Sequence, residues 1–267
     1  MALKFFKKNI LDLTNTLPTF SVTDATASDT GSAYTPLMRN RNNNSGWSTT
    51  GSLDAGSTTM IVNFGQTESF KEILLIGMNF KNFTLKYYDG TAYTAFSTPI
   101  TFTDNTLSSA QYSFTEVSTT ALELKVNGTM TADQDKYLKQ FIVTEGLGTV
   151  SVQPEIQPMW DKDRKATKFL SGKTFVAKSV GGFNCRIRMK TVSNEADLSL
   201  FESLFNTYEG FLTWVSGGDV SGFETVREGY RLEDIFMMDI SNEYSPSFND
   251  GRWYMGMPID LRLVEVS

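Results

Sequence analysis

The chain has 267 residues, 13% of them aromatic and 20% charged, with a formal net charge of −6. That length accommodates one large or two modest domains with a true core, and the ordinary charged share excludes a globally disordered chain. The negative balance argues against a nucleic-acid surface, which needs clustered Lys and Arg to neutralise phosphates.

The two small basic groups, Lys4 with Lys7 and Lys8, and Arg186 with Arg188 and Lys190, read as solvated faces. The lack of histidine removes the commonest metal ligand and general base. The single cysteine, Cys185, can form no internal disulfide and has no imidazole to activate it, so it reads as a small buried hydrophobe. Thiolate zinc sites are excluded, no cofactor is expected, and the chain reads as a non-enzyme. Lys4-Phe5-Phe6-Lys7-Lys8 is not followed by a long apolar core, so no cleavable signal peptide is read. No apolar run approaches the roughly 20 residues of a membrane helix, so no membrane insertion is expected. The expected setting is synthesis in a cytoplasm, with a product that stays soluble or is assembled there.

Residues 1–34 read as an N-terminal arm. Within it 9–32 is rich in Thr, Ser, Asn and Asp, with Leu11, Leu13, Leu17 and Phe20 as its apolar anchors. Residues 39–57 form a polar loop region, closed by Trp47, which reads as a core plug because large aromatics mostly bury. A β pattern begins at Thr58. Met60 to Gly65 is one strand and Phe70 to Met78 another, its Ile73-Leu74-Leu75-Ile76 apolar enough to be buried on both sides. Phe83, Leu85 and Tyr87 alternate with polar neighbours, and Asp89-Gly90 signals a hairpin returning through Tyr93 and Phe96. Tyr112-Ser113-Phe114 is short. Leu122, Leu124 and Val126 alternate before an expected turn at Asn127-Gly128, and 137–143 supplies a last strand. Several short strands with regular turn signals indicate a β-sandwich.

Trp47, then Val62-Asn63-Phe64-Gly65, then Ile73-Leu74-Leu75-Ile76 resemble the discoidin or galactose-binding-like jelly roll over about 35–145. That resemblance implies binding loops at one end of the sandwich that take sugars or other surface ligands. It places Arg39, Asn43, Trp47 and Asn79 as candidate ligand contacts. It is equally compatible with a scaffold jelly roll that binds no sugar.

Residues 149–167 read as a linker after a jelly roll at 35–148. Gly146-Leu147-Gly148, Pro154 and Pro158 interrupt the pattern, and 161–165 is a charge run. Ser171-Gly172-Lys173-Thr174 mimics the end of a phosphate-binding loop, but Thr167 stands where its first glycine belongs and a strand follows instead of a helix. The best-formed local unit spans 183–216. Ile187, Met189 and Thr191 alternate with Arg186, Arg188 and Lys190 along a strand. A helix over about 194–208 carries Leu198, Phe201, Leu204, Phe205 and Tyr208 on one stripe, and Gly210 stops it. Phe211 to Val215 is a buried-type strand. Residues 217–229 form a Gly-rich loop, 232–240 a strand, and 253–266 a closing strand.

Other motifs carry nothing. Glu233-Asp234 and Asp133 with Asp135 read as surface acids, and Asp133-Gln134-Asp135 lacks the glycine and distal Glu of a calcium loop. Asn82-Phe83-Thr84 and Asn127-Gly128-Thr129 match the glycosylation sequon, which means little without a secretion signal.

The strand at 184–190, the helix, the strand at 210–215 and the closing strand at 257–266 resemble, in their order, the tail-tube family of tailed bacteriophages and related injection machines. The resemblance covers about 168–267. It implies a β-sandwich or barrel with one flanking helix whose edge strands join neighbours into a ring, sixfold or threefold. On it the chain looks like a virion protein of a phage tail tip or baseplate, partnering other tail proteins and a cell-surface glycan. Arg186, Arg188 and Lys190, with Asp219, Phe223 and Arg227 of the 217–229 loop, become candidate assembly contacts. A carbohydrate-binding module acting in host attachment is the alternative.

Overall fold

A computed structural model describes residues 2–7, 9–40, 45–150, 155–160, 164–168, 174–178, 183–192, 199–204, 211–216, 236–240 and 257–265. The described chain is mainly β, as the alternation predicts, and it divides into two compact units.

The strands, in chain order, are β1 (Ala2–Phe6), β2 (Thr19–Asp24), β3 (Trp47–Ser48), β4 (Thr58–Met78), β5 (Phe80–Tyr88), β6 (Tyr93–Phe102), β7 (Ala110–Thr129) and β8 (Tyr137–Thr144). They continue with β9 (Gly146–Val150), β10 (Glu155–Trp160), β11 (Arg164–Lys168), β12 (Thr174–Lys178), β13 (Phe183–Val192), β14 (Phe211–Ser216), β15 (Phe236–Ile240) and β16 (Met257–Glu265).

The first unit contains β2 to β8 in the order β3-β8-β4-β7-β5-β6, with β2 also on β4. Its axis is β4. The two strands expected at 60–65 and 70–78 are one, because β7 runs beside both halves while β2 pairs with 58–63 and β8 with 72–78. The sequence breaks the pattern where the strand bends. Thr58, Met60, Val62 and Phe64 point inward, 65–67 are exposed around Gly65 at φ 76°, and 72–78 are continuously buried. Likewise β7 fuses two expected strands and runs through Asn127-Gly128, where a turn was expected; Gly128 instead lies opposite Asn82 in the sheet. The Asp89-Gly90 hairpin forms as read. The Asp89 carboxylate accepts the N–H groups of Thr91 and Ala92 at 2.8 and 2.9 Å, and those bonds hold its carboxyl below the usual range.

The core is aromatic. Phe70 sits edge-on to Phe64, Phe96 and Phe114 at centroid distances of 5.7, 6.5 and 5.9 Å. A second run joins Trp47, Phe80, Phe83, Phe102 and Tyr112. Edge-to-face pairs of this kind add about 0.5–1.5 kcal/mol each beyond area burial.

The second unit holds a seven-stranded sheet in the order β10-β13-β16-β15-β14-β1-β9 and a separate β11-β12 hairpin. A helical segment at 199–204 lies within the expected helix; the remainder of 194–208 falls outside the described residues. Its Phe201 packs edge-on against Phe5 of β1 at 6.2 Å, and Leu204 is buried.

Two expected segments are placed differently. Residues 1–34 do not stand apart as an arm: β1 joins the C-terminal sheet, while β2 pairs with β4. Phe5, Phe6, Leu11 and Val22 are buried, which explains why apolar residues punctuate so polar a stretch. The expected linker at 149–167 contains β10, an outer strand of the sheet, and β11 of the hairpin. Its Pro158 suits an outer strand, where one side of the ladder is unpaired.

Candidate functional site

The first unit gathers three segments at one end: the turn after β2, residues 49–57, and residues 130–136. Carboxylates tie them together. Asp133 accepts the N–H of Asp54 at 2.9 Å, Asp135 accepts that of Ser52 at 3.2 Å, and Asp54 accepts the N–H and hydroxyl of Thr129 at 3.1 and 2.9 Å. Asp133 and Asp135 are therefore structural acids of a braced end. Asp133 also takes a positive φ of 56°, the left-handed conformation that Asp tolerates in turns. No group of three His, Cys, Asp or Glu side chains suited to a metal occurs among the described residues.

Beneath this end lies a buried ammonium. Lys136 enters from the start of β8, and its side chain and that of Asp24 are wholly inaccessible. Lys136 Nζ donates to Asp24 Oδ2 at 3.4 Å, to Ser52 Oγ, and to the carbonyls of Leu53 and Gly56, each at 3.3 Å. Asp24 also accepts hydroxyl bonds from Ser52, Thr26 and Thr58 and the N–H of Thr26. Burial pushes the Asp24 carboxyl up, but the bonds from Thr58, Thr26 and Ser52 outweigh it and hold the group well below the usual carboxylate range. Sequence reading missed Lys136, which has no periodic or motif signal; its burial is set by four oxygens from two distant segments.

Three sequence candidates are structural side chains, and two of them, Trp47 and Asn79, sit at this end. Arg39 is 8% exposed. Its guanidinium donates to the carbonyls of Leu11, Asp12 and Asn15, with a longer bond to Pro18 at 3.4 Å, and stacks over Phe20. Trp47 is the core plug expected, its indole N–H bonded to the Thr30 carbonyl at 3.0 Å. Asn79 donates to the Asp135 carbonyl at 2.8 Å and accepts the N–H of Tyr137 at 3.0 Å. Asn43 lies outside the described residues, as do Asp219, Phe223 and Arg227. What this end offers outward is Leu53, Tyr34 and Tyr137, which are 45%, 47% and 41% exposed. Tyr34 follows Gly31, which abuts Ser48, the register partner of Tyr137.

In the second unit, Arg186, Arg188 and Lys190 stand on β13, an interior strand between β10 and β16. In register, Arg188 lies between Glu155 and Asp260, and Arg186 between Gln157 and Arg262. Edge pairing with another chain cannot run through Arg186 and Arg188, which have partners on both sides, whereas Lys190 lies beyond the stretch paired with β10, in the irregular register between Met189 and Val192. The outer strands of this seven-stranded sheet are β10 and β9.

No protein-family model and no curated protein matches the sequence. Solved structures match in part. A chitosan-binding module 1 from a chitosanase/glucanase of Paenibacillus sp. IK-5 is 15% identical at a TM-score of 0.38, covering 51% of this chain and 98% of that one. A CBM32 module of a Clostridium perfringens GH89 protein, in complex with GalNAc-β-1,3-galactose, is 11% identical at a TM-score of 0.36, covering 50% and 97%. A Ruminococcus gnavus GH29 fucosidase in complex with fucose is 15% identical at a TM-score of 0.40, covering 53% of this chain. The present chain spans 27% of the fucosidase's length.

Proposed function

We propose that this chain is a non-catalytic assembly protein whose second unit joins further subunits through the outer strands of its sheet. The observation that carries this reading is the seven-stranded sheet itself, with β10 and β9 each paired on one side only among the described strands. An unpaired strand edge is a template for another chain, and closed rotational symmetry is the ordinary way to use it without endless aggregation. The finer reading is a ring component of a phage tail tip or baseplate, carried in the virion, with other tail proteins as neighbours. The order of strand, helix and strand from 184 to 266 supports it. Arg186, Arg188 and Lys190 then offer a sheet face, not an edge, for contact.

The test is the particle mass in solution together with negative-stain images of the full chain. A discrete oligomer that persists on dilution, seen as rings, supports the reading. A monomer at every concentration that joins no larger particle overturns it.

A second reading, glycan attachment by the first unit, is favoured by the exposed Tyr34 and Tyr137 at its braced end, since sugar rings stack on aromatic faces. A glycan array with the wild type and Tyr137→Ala separates the two. Binding lost in the variant supports attachment, whereas silence from both leaves assembly alone.

A further inference from the structure

Lys136 is peculiar for where its charge goes. A lysine is almost never wholly buried, since its stem reaches water easily and its ammonium is strongly hydrated. Here the ammonium ends in a pocket of oxygens: one carboxylate, one hydroxyl and two main-chain carbonyls. They come from two segments, separated from Lys136 by 112 residues at Asp24 and by 84, 83 and 80 at Ser52, Leu53 and Gly56. Carboxylate, hydroxyl and carbonyl oxygens are the donor set of a hard cation. Asp24 is fixed independently of the lysine by Thr26 and Thr58. Its negative charge is therefore built into the pocket.

We infer that this pocket is a cation site which the chain fills with its own ammonium, so that cutting Lys136 back opens a binding site for a small soluble cation such as Ca²⁺, K⁺ or methylammonium. The inference does not rest on the assembly reading. Its consequence for the native protein is that the end carrying Leu53 and Tyr137 is held in shape without a dissociable ion. Around a soluble ion the same oxygens would have to close from 3.3–3.4 Å to about 2.3–2.6 Å for calcium. Potassium and methylammonium need less movement and rank above calcium if the pocket is rigid.

The experiment compares thermal melts of the full chain for wild type, Lys136→Ala, Lys136→Met and the double variant Lys136→Ala with Asp24→Asn. Each is melted with chelator alone, with millimolar CaCl2, and with KCl or methylammonium chloride at one fixed ionic strength. The expected result is a wild type indifferent to chelator and cation, and a Lys136→Ala protein that melts lower and recovers several degrees with at least one cation. Lys136→Met keeps the stem that fills the entrance, so it melts low without rescue. The double variant loses the rescue because the anchoring charge is gone. If Lys136→Ala does not fold in chelator, its refolding yield with and without each cation is the readout. The inference is overturned if no cation rescues Lys136→Ala, if the double variant is rescued equally, or if Lys136→Met melts like the wild type.

Discussion

Replacing Arg39 with methionine tests whether it is a strut or a ligand contact. Methionine keeps most of the stem but removes the guanidinium, leaving the carbonyls of Leu11, Asp12 and Asn15 without their cationic donor. Hydrogen bonds to a charged group contribute about 1.5–3 kcal/mol each, so three give an upper bound of about 5–9 kcal/mol. Water can reach part of 12–17, where Leu13 and Leu17 are exposed, and the losses are not additive. The expected cost is therefore about 3–4 kcal/mol, which for a domain of this size lowers Tm by roughly 6–16 °C. Urea unfolding supplies the free energy, and amide exchange of 9–20 shows whether the loss is local, as a strut requires. A surface ligand contact would cost within about 0.5 kcal/mol. An Arg39→Met protein as stable as wild type, with exchange at 9–20 unchanged, would show that Arg39 is no strut and return it to the candidate ligand surface.

Other outcomes follow from the same packing. Phe70→Ala removes the ring shared by Phe64, Phe96 and Phe114 and should cost about 3–5 kcal/mol in chemical denaturation; a loss below about 1 kcal/mol would mean the cluster is loosely packed. Gly31 holds φ at 69°, and a Cβ there would fall 1.9 Å from the Ser48 carbonyl oxygen. Gly31→Ala should destabilise by at least about 2 kcal/mol, and a normal Tm would contradict the close approach. Asp24 titrates lower in the folded than in the unfolded chain. Its stabilisation is therefore present above the unfolded value of about 3.9 and is lost as pH falls below it towards the folded value. Asp24→Asn should be less stable at pH 6 and show a flatter acid limb between about pH 4 and 2; parallel limbs would remove Asp24 from the account.

The local features were legible because local chemistry decides them. Phe83, Leu85 and Tyr87 declare a face by alternation, and Asp89-Gly90 needs only its own side chain and a permissive φ to turn. Three others depend on partners far along the chain. The fusion of two strands into β4 depends on β7 bridging the irregular stretch between Asn63 and Glu68. Arg39 looks like a loop cation until the carbonyls of 11–18 fold over it. Lys136 is an ordinary lysine until Asp24 arrives from 112 residues away. Buried charges are hard to read because hydropathy assigns them outside, and only tertiary oxygen donors bring them in.

The position of β1 sets a schedule for synthesis. Residues 2–6 leave the ribosome ahead of every other described strand, yet their sheet neighbours are β9 and β14. At roughly 5–20 residues per second, about 7–30 s pass before β9 emerges, and longer before β14 does. During that interval a strand carrying Phe5, buried in the finished protein, waits in water while β2 to β8 fold behind it. The nascent chain thus carries an unsatisfied adhesive strand while β2 to β8 are being made. A chaperone or a neighbouring ribosome's product has its opportunity there, and copies exchanging that first strand would emerge interlocked.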